Sequence, residues 1–339
     1  MKSIMSKITE LFSLKSLAGR EGRDGQSDQS RRTRSLALMS WRALIFLAIL
    51  VVATLTAQNI VQAATAATAA GDSSLVKSSY VDVGGLHMYY EIHGAIHGGA
   101  DTPLVLLHGG FGNIPSWGPT LNALAQSREV IAFELEGHGR TTDLDRPLSW
   151  EQMTDDVAAA VKKLGFDQVD VMGYSLGGVM ALRMGVKYPS LVRKLVVVSG
   201  LYSPAGYYPA INANWPTVQT LAGTPMEREY AQHALNPSRW PIFVGKMDQA
   251  LKDFKGWPES EVRSIKAPTL LVFGDNDAVR PEYEVQLFRM LGGDKAMGGF
   301  TPLVSQMAVL PGTTHFSIFV RADLLIPLVN PFLDAPMPK

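Results

Sequence analysis

Residues 170–181 read DVMGYSLGGVMA. Up to Tyr174 the stretch has the apolar, β-branched make-up of a strand; from Leu176 a helical pattern runs on and stops before Pro189. A single residue, Ser175, is left to turn the chain from one element into the other. So sharp a reversal strains the serine backbone, and a Cβ on either flank would collide, hence Gly173 and Gly177. The turn pushes the Ser175 hydroxyl out at the carboxyl edge of a sheet. A helix N-terminus then faces any negative charge that develops there. A strand that feeds directly into a helix is the building unit of an α/β fold.

The flanking sequence repeats that unit. VDVGGLHMYYEIHG reads as one strand with period-two alternation, TPLVLLHGG and REVIAFELEGHG as two more. SWEQMTDDVAAAVKKLG is a helix with Ser149 as N-cap, Gln152 three residues on and Gly165 at its end. VRKLVVVSG, APTLLVFGD and SQMAVLPG supply further strands, with a helix around PEYEVQLFRMLGG and a last one over roughly 321–333. Continuously apolar strands alternating with helices predict a mostly parallel sheet covered on both faces. One stretch breaks the alternation. Residues 203–266 carry no strand signal but hold eight aromatic residues, among them Trp215 and Trp240, together with Met247. They are expected to form a helical cap between a first core part, 78–202, and a second, 267–339; each aromatic has either the cap's own core or a pocket wall as its role.

Across the 339 residues, 31 basic side chains balance 31 acidic ones, so no overall field favours nucleic acid. There is no cysteine, which excludes disulfides and thiolate metal sites. Residues 1–42 hold nine Lys or Arg and four Asp or Glu; fifteen uncharged residues follow, ALIFLAILVVATLTA at 43–57. That core is short for a membrane span of about 20 residues and suits a signal peptide. The Ala-rich exit offers small-x-small cleavage sites such as Val61-Gln62-Ala63, so residues 1–63 are expected to direct export to the periplasm or medium. Left uncleaved, the same segment would anchor the protein to a membrane.

A serine hydroxyl needs a base to become a nucleophile. Of seven histidines, His315 in VLPGTTHF is the best placed: it follows the last strand, on the sheet edge where Ser175 emerges. An acid must hold the histidine's tautomer, and LVFGDNDAVRP offers Asp275 and Asp277 after the preceding strand. Donors for an oxyanion are expected from the Leu176 amide and from LLHGGFGN, with Gly110 preferred and Phe111 second; His108 is read as tying that loop down.

Taken in order, LLHGGFG, EGHGRT, GYSLGG, FGDNDAVRP and PGTTHF resemble the α/β-hydrolase superfamily over roughly residues 78–335, most closely its esterase, enol-lactonase and non-haem haloperoxidase-like branch. In that family the acid lies in a Gly-x-x-Asp turn, which falls on Gly274 and Asp277. The resemblance therefore implies Ser175 as nucleophile, Asp277 as acid and His315 as base, with neither metal nor organic cofactor. It also implies hydrolysis of a small hydrophobic ester or lactone through an acyl-enzyme. Carbon–carbon bond hydrolysis and amide cleavage use the same three residues, and a non-catalytic binding protein could share the fold. Phe111 stands where proline iminopeptidases have proline, which argues against a peptidase.

Overall fold

The computed structural model describes residues 74–94, 102–293 and 303–338. The expected leader, 1–63, lies outside them. Among the described residues no helix is long and apolar enough to cross a membrane.

Eight strands form one sheet in the order β1-β2-β4-β3-β5-β6-β7-β8. They are β1 (Leu75–Val83), β2 (Leu86–His93), β3 (Leu104–Leu107), β4 (Val130–Phe133), β5 (Val169–Tyr174), β6 (Val192–Val198), β7 (Thr269–Asn276) and β8 (Gln306–Thr314). From β3 to β8 all pairings are parallel, while β1–β2 and β2–β4 are antiparallel. The expected α/β fold is the observed one. One element needs correction: VDVGGLHMYYEIHG is not a single strand. Gly84 and Gly85, at φ 56° and 85°, turn the chain back into a hairpin that pairs Val83 with Leu86. Two consecutive positive-φ glycines are the signature of such a two-residue turn.

Alternation along the strands sorts side chains into two cores. Val105, Leu107, Ile131, Phe133, Val171, Val197 and Leu271 face one side, where α2 (Trp150–Lys163) and α3 (Leu176–Lys187) pack. Leu104, Leu106, Val130, Ala132, Met172, Val196 and Leu270 face the other, against α1 (Pro119–Ala125) and the last helix. Helix α2 begins where the sequence indicates: the Ser149 side chain accepts from the Gln152 amide, and Met153, Val157 and Val161 bury one stripe.

Between β6 and β7 the chain adds α4 (Pro209–Ala213), α5 (Val218–Leu221), α6 (Pro225–His233), α7 (Trp240–Asp253) and α8 (Glu259–Arg263). Tyr230, Trp240 and Phe243 from this insertion join the first core. The insertion is tied down by Asp143, which accepts hydrogen bonds from Arg239 (2.6 Å) and Lys246. Helix α9 (Pro281–Phe288) follows β7, and α10 (Ala322–Asp334) closes the chain. Buried Lys194 of β6 donates to the carbonyls of Phe332 (2.9 Å) and Leu333 (3.0 Å), satisfying the C-terminal end of α10.

Candidate active site

Ser175 stands between β5 and α3 at φ 52°, ψ −114°, a backbone conformation that is strained for anything but glycine. The two glycines around it have no room for a side chain. A Cβ on Gly173 would lie 2.0 Å from the Gly177 carbonyl oxygen, and one on Gly177 would lie 2.1 Å from that of Leu107. The crowding read from the sequence is backbone against backbone, which no rotamer change could relieve.

β7 and β8 run beside each other and deliver the next two groups. His315 follows β8 directly, and its Nε2 lies 3.0 Å from Ser175 Oγ. Its Nδ1 lies 2.8 Å from Asp277 Oδ1. A carboxylate only accepts, so Nδ1 carries the proton and Nε2 is left to accept from the serine hydroxyl. Ser175, His315 and Asp277 are thus brought into one line. Asp277 is almost completely buried. Burial pushes its carboxyl up, but the His315 hydrogen bond and charge, the Ser199 hydroxyl and the Gly274 amide outweigh that, and it sits below the ordinary aspartate value. Asp275, two residues earlier, faces away: its carboxylate accepts from the amides of Gly312 (2.8 Å) and Thr313 (3.2 Å). It braces the end of β8, from which His315 follows, and its hydrogen bonds do not go to the ring.

Sequence reasoning passed over Ser199. It follows β6 directly, at φ 51°, and gives its hydroxyl to Asp277 Oδ2. The signal in the sequence is the serine of VVVSG, a polar residue at the same sheet edge as Ser175 and Asp277. Tyr174 was also missed; its hydroxyl donates to the His315 carbonyl at 2.7 Å while its ring stacks on Phe319, 4.2 Å away.

Of the three amides considered for an oxyanion, Phe111 is engaged, giving its N–H to His138 Nε2 at 3.2 Å. The amides of Gly110 and Leu176 have no protein acceptor among the described residues. Leu176 is the first residue of α3, where backbone N–H groups have no partner within the helix. A Cβ on Gly110 would come within 4.0 Å of Leu176 Cβ, so the two residues lie side by side. Among the described residues no group of three His, Asp or Glu could hold a metal ion. A cavity of about 910 Å³ lies in the insertion and is lined by Trp215, Phe254 and Leu251 among others; Ser175 is not among its lining residues.

Comparison with known proteins agrees with this architecture. The model of a family described as alpha/beta hydrolase matches residues 104–328. RutD of Azorhizobium caulinodans, which carries the name of a carbamate hydrolase, is 26% identical over 60% of this chain and 82% of its own length. The mouse (Mus musculus) serine hydrolase BPHL is 28% identical over 61% of this chain and 73% of its own. Several other relatives match over only 34–45% of their length. The crystal structure of the enol-lactonase from Burkholderia xenovorans LB400 superposes with a TM-score of 0.58, covering 76% of this chain and 100% of that one at 22% identity, a likeness of fold. The chain is a hydrolase that belongs to the alpha/beta hydrolase family.

Proposed function

We propose that this hydrolase cleaves a carboxylic ester or lactone through a serine acyl-enzyme. The observation that carries the reading is the unbroken hydrogen-bond line from Asp277 through His315 to Ser175, ending at a strained turn. Ser175 attacks the acyl carbon while His315 Nε2 takes its proton. His315 then gives that proton to the leaving oxygen, and afterwards activates the water that releases the acyl group. Asp277 stays ionised throughout, holding the Nδ1–H tautomer and stabilising the imidazolium. The amides of Gly110 and Leu176 receive the oxyanion of each tetrahedral intermediate. Phe111, Trp240 and Phe243 pack together next to Gly110, which suits an apolar acyl or alcohol group. In this reading residues 203–266 act as the cap over the site. The names of the relatives point the same way: serine hydrolase, enol-lactonase and carbamate hydrolase all describe chemistry compatible with an acyl carbonyl.

A fluorophosphonate probe is expected to label Ser175 in the wild-type protein and nothing in Ser175→Ala. That variant should lose roughly 10⁴-fold or more in kcat across a panel of esters, lactones and carbamates. A folded Ser175→Ala that keeps most of its turnover would remove Ser175 from the reaction.

We propose in addition that residues 1–63 form a signal peptide, so that the working protein is periplasmic or secreted. The support is the basic flank, the uncharged core at 43–57 and the Ala-rich exit. Mass spectrometry of protein from its native host should then find an N-terminus between about residues 64 and 72. A chain that keeps Met1 and fractionates with cytosol contradicts the proposal.

A further inference from the structure

Two imidazoles hold the turn that presents Gly110, and they do so by exchange. His108, at the end of β3, accepts the Leu135 amide on Nε2 at 3.2 Å and donates Nδ1–H to the Gly109 carbonyl at 2.8 Å. His138, in the turn after β4, accepts the Phe111 amide on Nε2 at 3.2 Å and donates Nδ1–H to the Glu136 carbonyl at 2.9 Å. Each segment hands one amide to the other's ring. The rings lie 4.9 Å apart, and each residue is 1% exposed. Because a carbonyl only accepts and an amide N–H only donates, both rings are neutral and share one tautomer. Burial pushes both imidazoles below their ordinary value, and for His138 the neighbouring His108 adds to it.

The peptide group is planar, so the Gly110 N–H points opposite to the Gly109 carbonyl. His108 holds that carbonyl and thereby the first peptide plane. The next plane, between Gly110 and Phe111, ends in the N–H that His138 accepts. The two imidazoles therefore grip the successive peptide planes on either side of Gly110 Cα. The grip has strain to resist, since Phe111 sits at φ 62°, a left-handed conformation unfavourable for an aromatic residue. Phe243 of α7 closes the arrangement from the insertion, edge-on to His138 at 4.7 Å and to Phe111 at 5.7 Å.

We propose that His138 is a positioning residue of the oxyanion site, which as a neutral acceptor for the Phe111 amide keeps the Gly110 N–H aimed at the reacting carbonyl. The proposal rests on the serine acyl-enzyme reading above. The arrangement requires a neutral ring: a protonated His138 would set Nε2–H against the Phe111 N–H, donor against donor.

Two variants and two readouts test it. His138→Leu keeps bulk but removes the acceptor, whereas His138→Gln can return an amide oxygen to the Nε2 position. His138→Leu should lower kcat on an ester such as p-nitrophenyl butyrate about 10²-fold, the scale of a lost oxyanion donor, with KM changed less than about 3-fold. His138→Gln should recover most of that loss. Amide hydrogen exchange at Phe111 should be slow in the wild type, fast in the Leu variant and intermediate in the Gln variant. A folded His138→Leu with kcat within about 3-fold of wild type overturns the proposal, as does a Gln variant no better than the Leu one. If His138→Leu fails to fold, an unprotected Phe111 amide in the wild type overturns it equally. Should Ser175→Ala retain turnover, the acyl-enzyme reading falls on that result alone, while Phe111 exchange still reports whether His138 holds the turn.

Discussion

At the scale of single residues, Asp275 and Asp277 carry the same carboxylate two positions apart, and their hydrogen-bond partners separate them. Asp277 meets His315, Ser199 and the amides of Gly274 and Val279; among the described residues Asp275 meets the backbone amides of Gly312 and Thr313 in β8. Asp277→Asn replaces an acceptor with a group that can impose the wrong tautomer on His315, and kcat is expected to fall by about 10⁴-fold with little change in KM. Asp275→Asn keeps one acceptor oxygen for Gly312 or Thr313 and should cost less than about ten-fold in kcat, showing mainly as a lower Tm. Steady-state kinetics and thermal melts on the two variants decide this. The opposite ranking would pass the acid's role to Asp275.

At the scale of elements, the insertion between β6 and β7 divides its aromatics between two tasks. Trp240 of α7 is 5% exposed and packs on Phe111, Tyr230 and Phe243, joining the insertion to the turn that holds Gly110. Trp215 lies between α4 and α5, sits edge-on to Tyr207 at 5.3 Å, and lines the cavity that Ser175 does not reach. Trp240→Ala should therefore cost about 3–5 kcal/mol of stability, the scale of a buried aromatic truncated in a core. Trp215→Ala should leave Tm nearly unchanged and turnover of a short acetate ester unaltered. Equal losses of Tm in the two variants would contradict the division.

At the scale of the molecule, stability should depend on pH through a carboxyl outside the Ser175–His315–Asp277 line. Glu284, in the first turn of α9, is 3% exposed, and burial together with the charges of Asp277 and Glu282 pushes it up to about 8. In the unfolded chain it would release its proton near 4.5. Between those values the folded state binds more protons than the unfolded one, so stability falls as pH rises from about 4.5 to about 8. Glu284→Gln, neutral at every pH, should melt higher than wild type at about pH 8.5 and at the same temperature at about pH 4. A variant no more stable at the alkaline end would show that the fold accommodates the Glu284 charge.

What the sequence determined is what neighbours along the chain decide. The apolar strands, the capped helix after Ser149 and the Gly-x-Ser-x-Gly turn each rest on residues within a few positions of one another, so the α/β fold and the place of Ser175 could be read directly. Even the missed hairpin at Gly84-Gly85 was locally marked, and was overlooked because the alternation continued through it. Residues that meet only in space were another matter. Asp277 and His315 are 38 positions apart and Ser175 and His315 140; the approximate pairing followed from strand order, but the choice between the two aspartates lay in which one's oxygens met the ring. Ser199 in VVVSG and His138 in EGHGRT were visible as polar residues near the strand ends, but nothing beside them in the chain names their partners. Their roles come from 78 and 27 positions away, through a carboxylate on β7's far end and an amide in the β3 turn. Only the packed sheet edge, by excluding water and leaving each polar atom few partners, decided where those hydrogen bonds go.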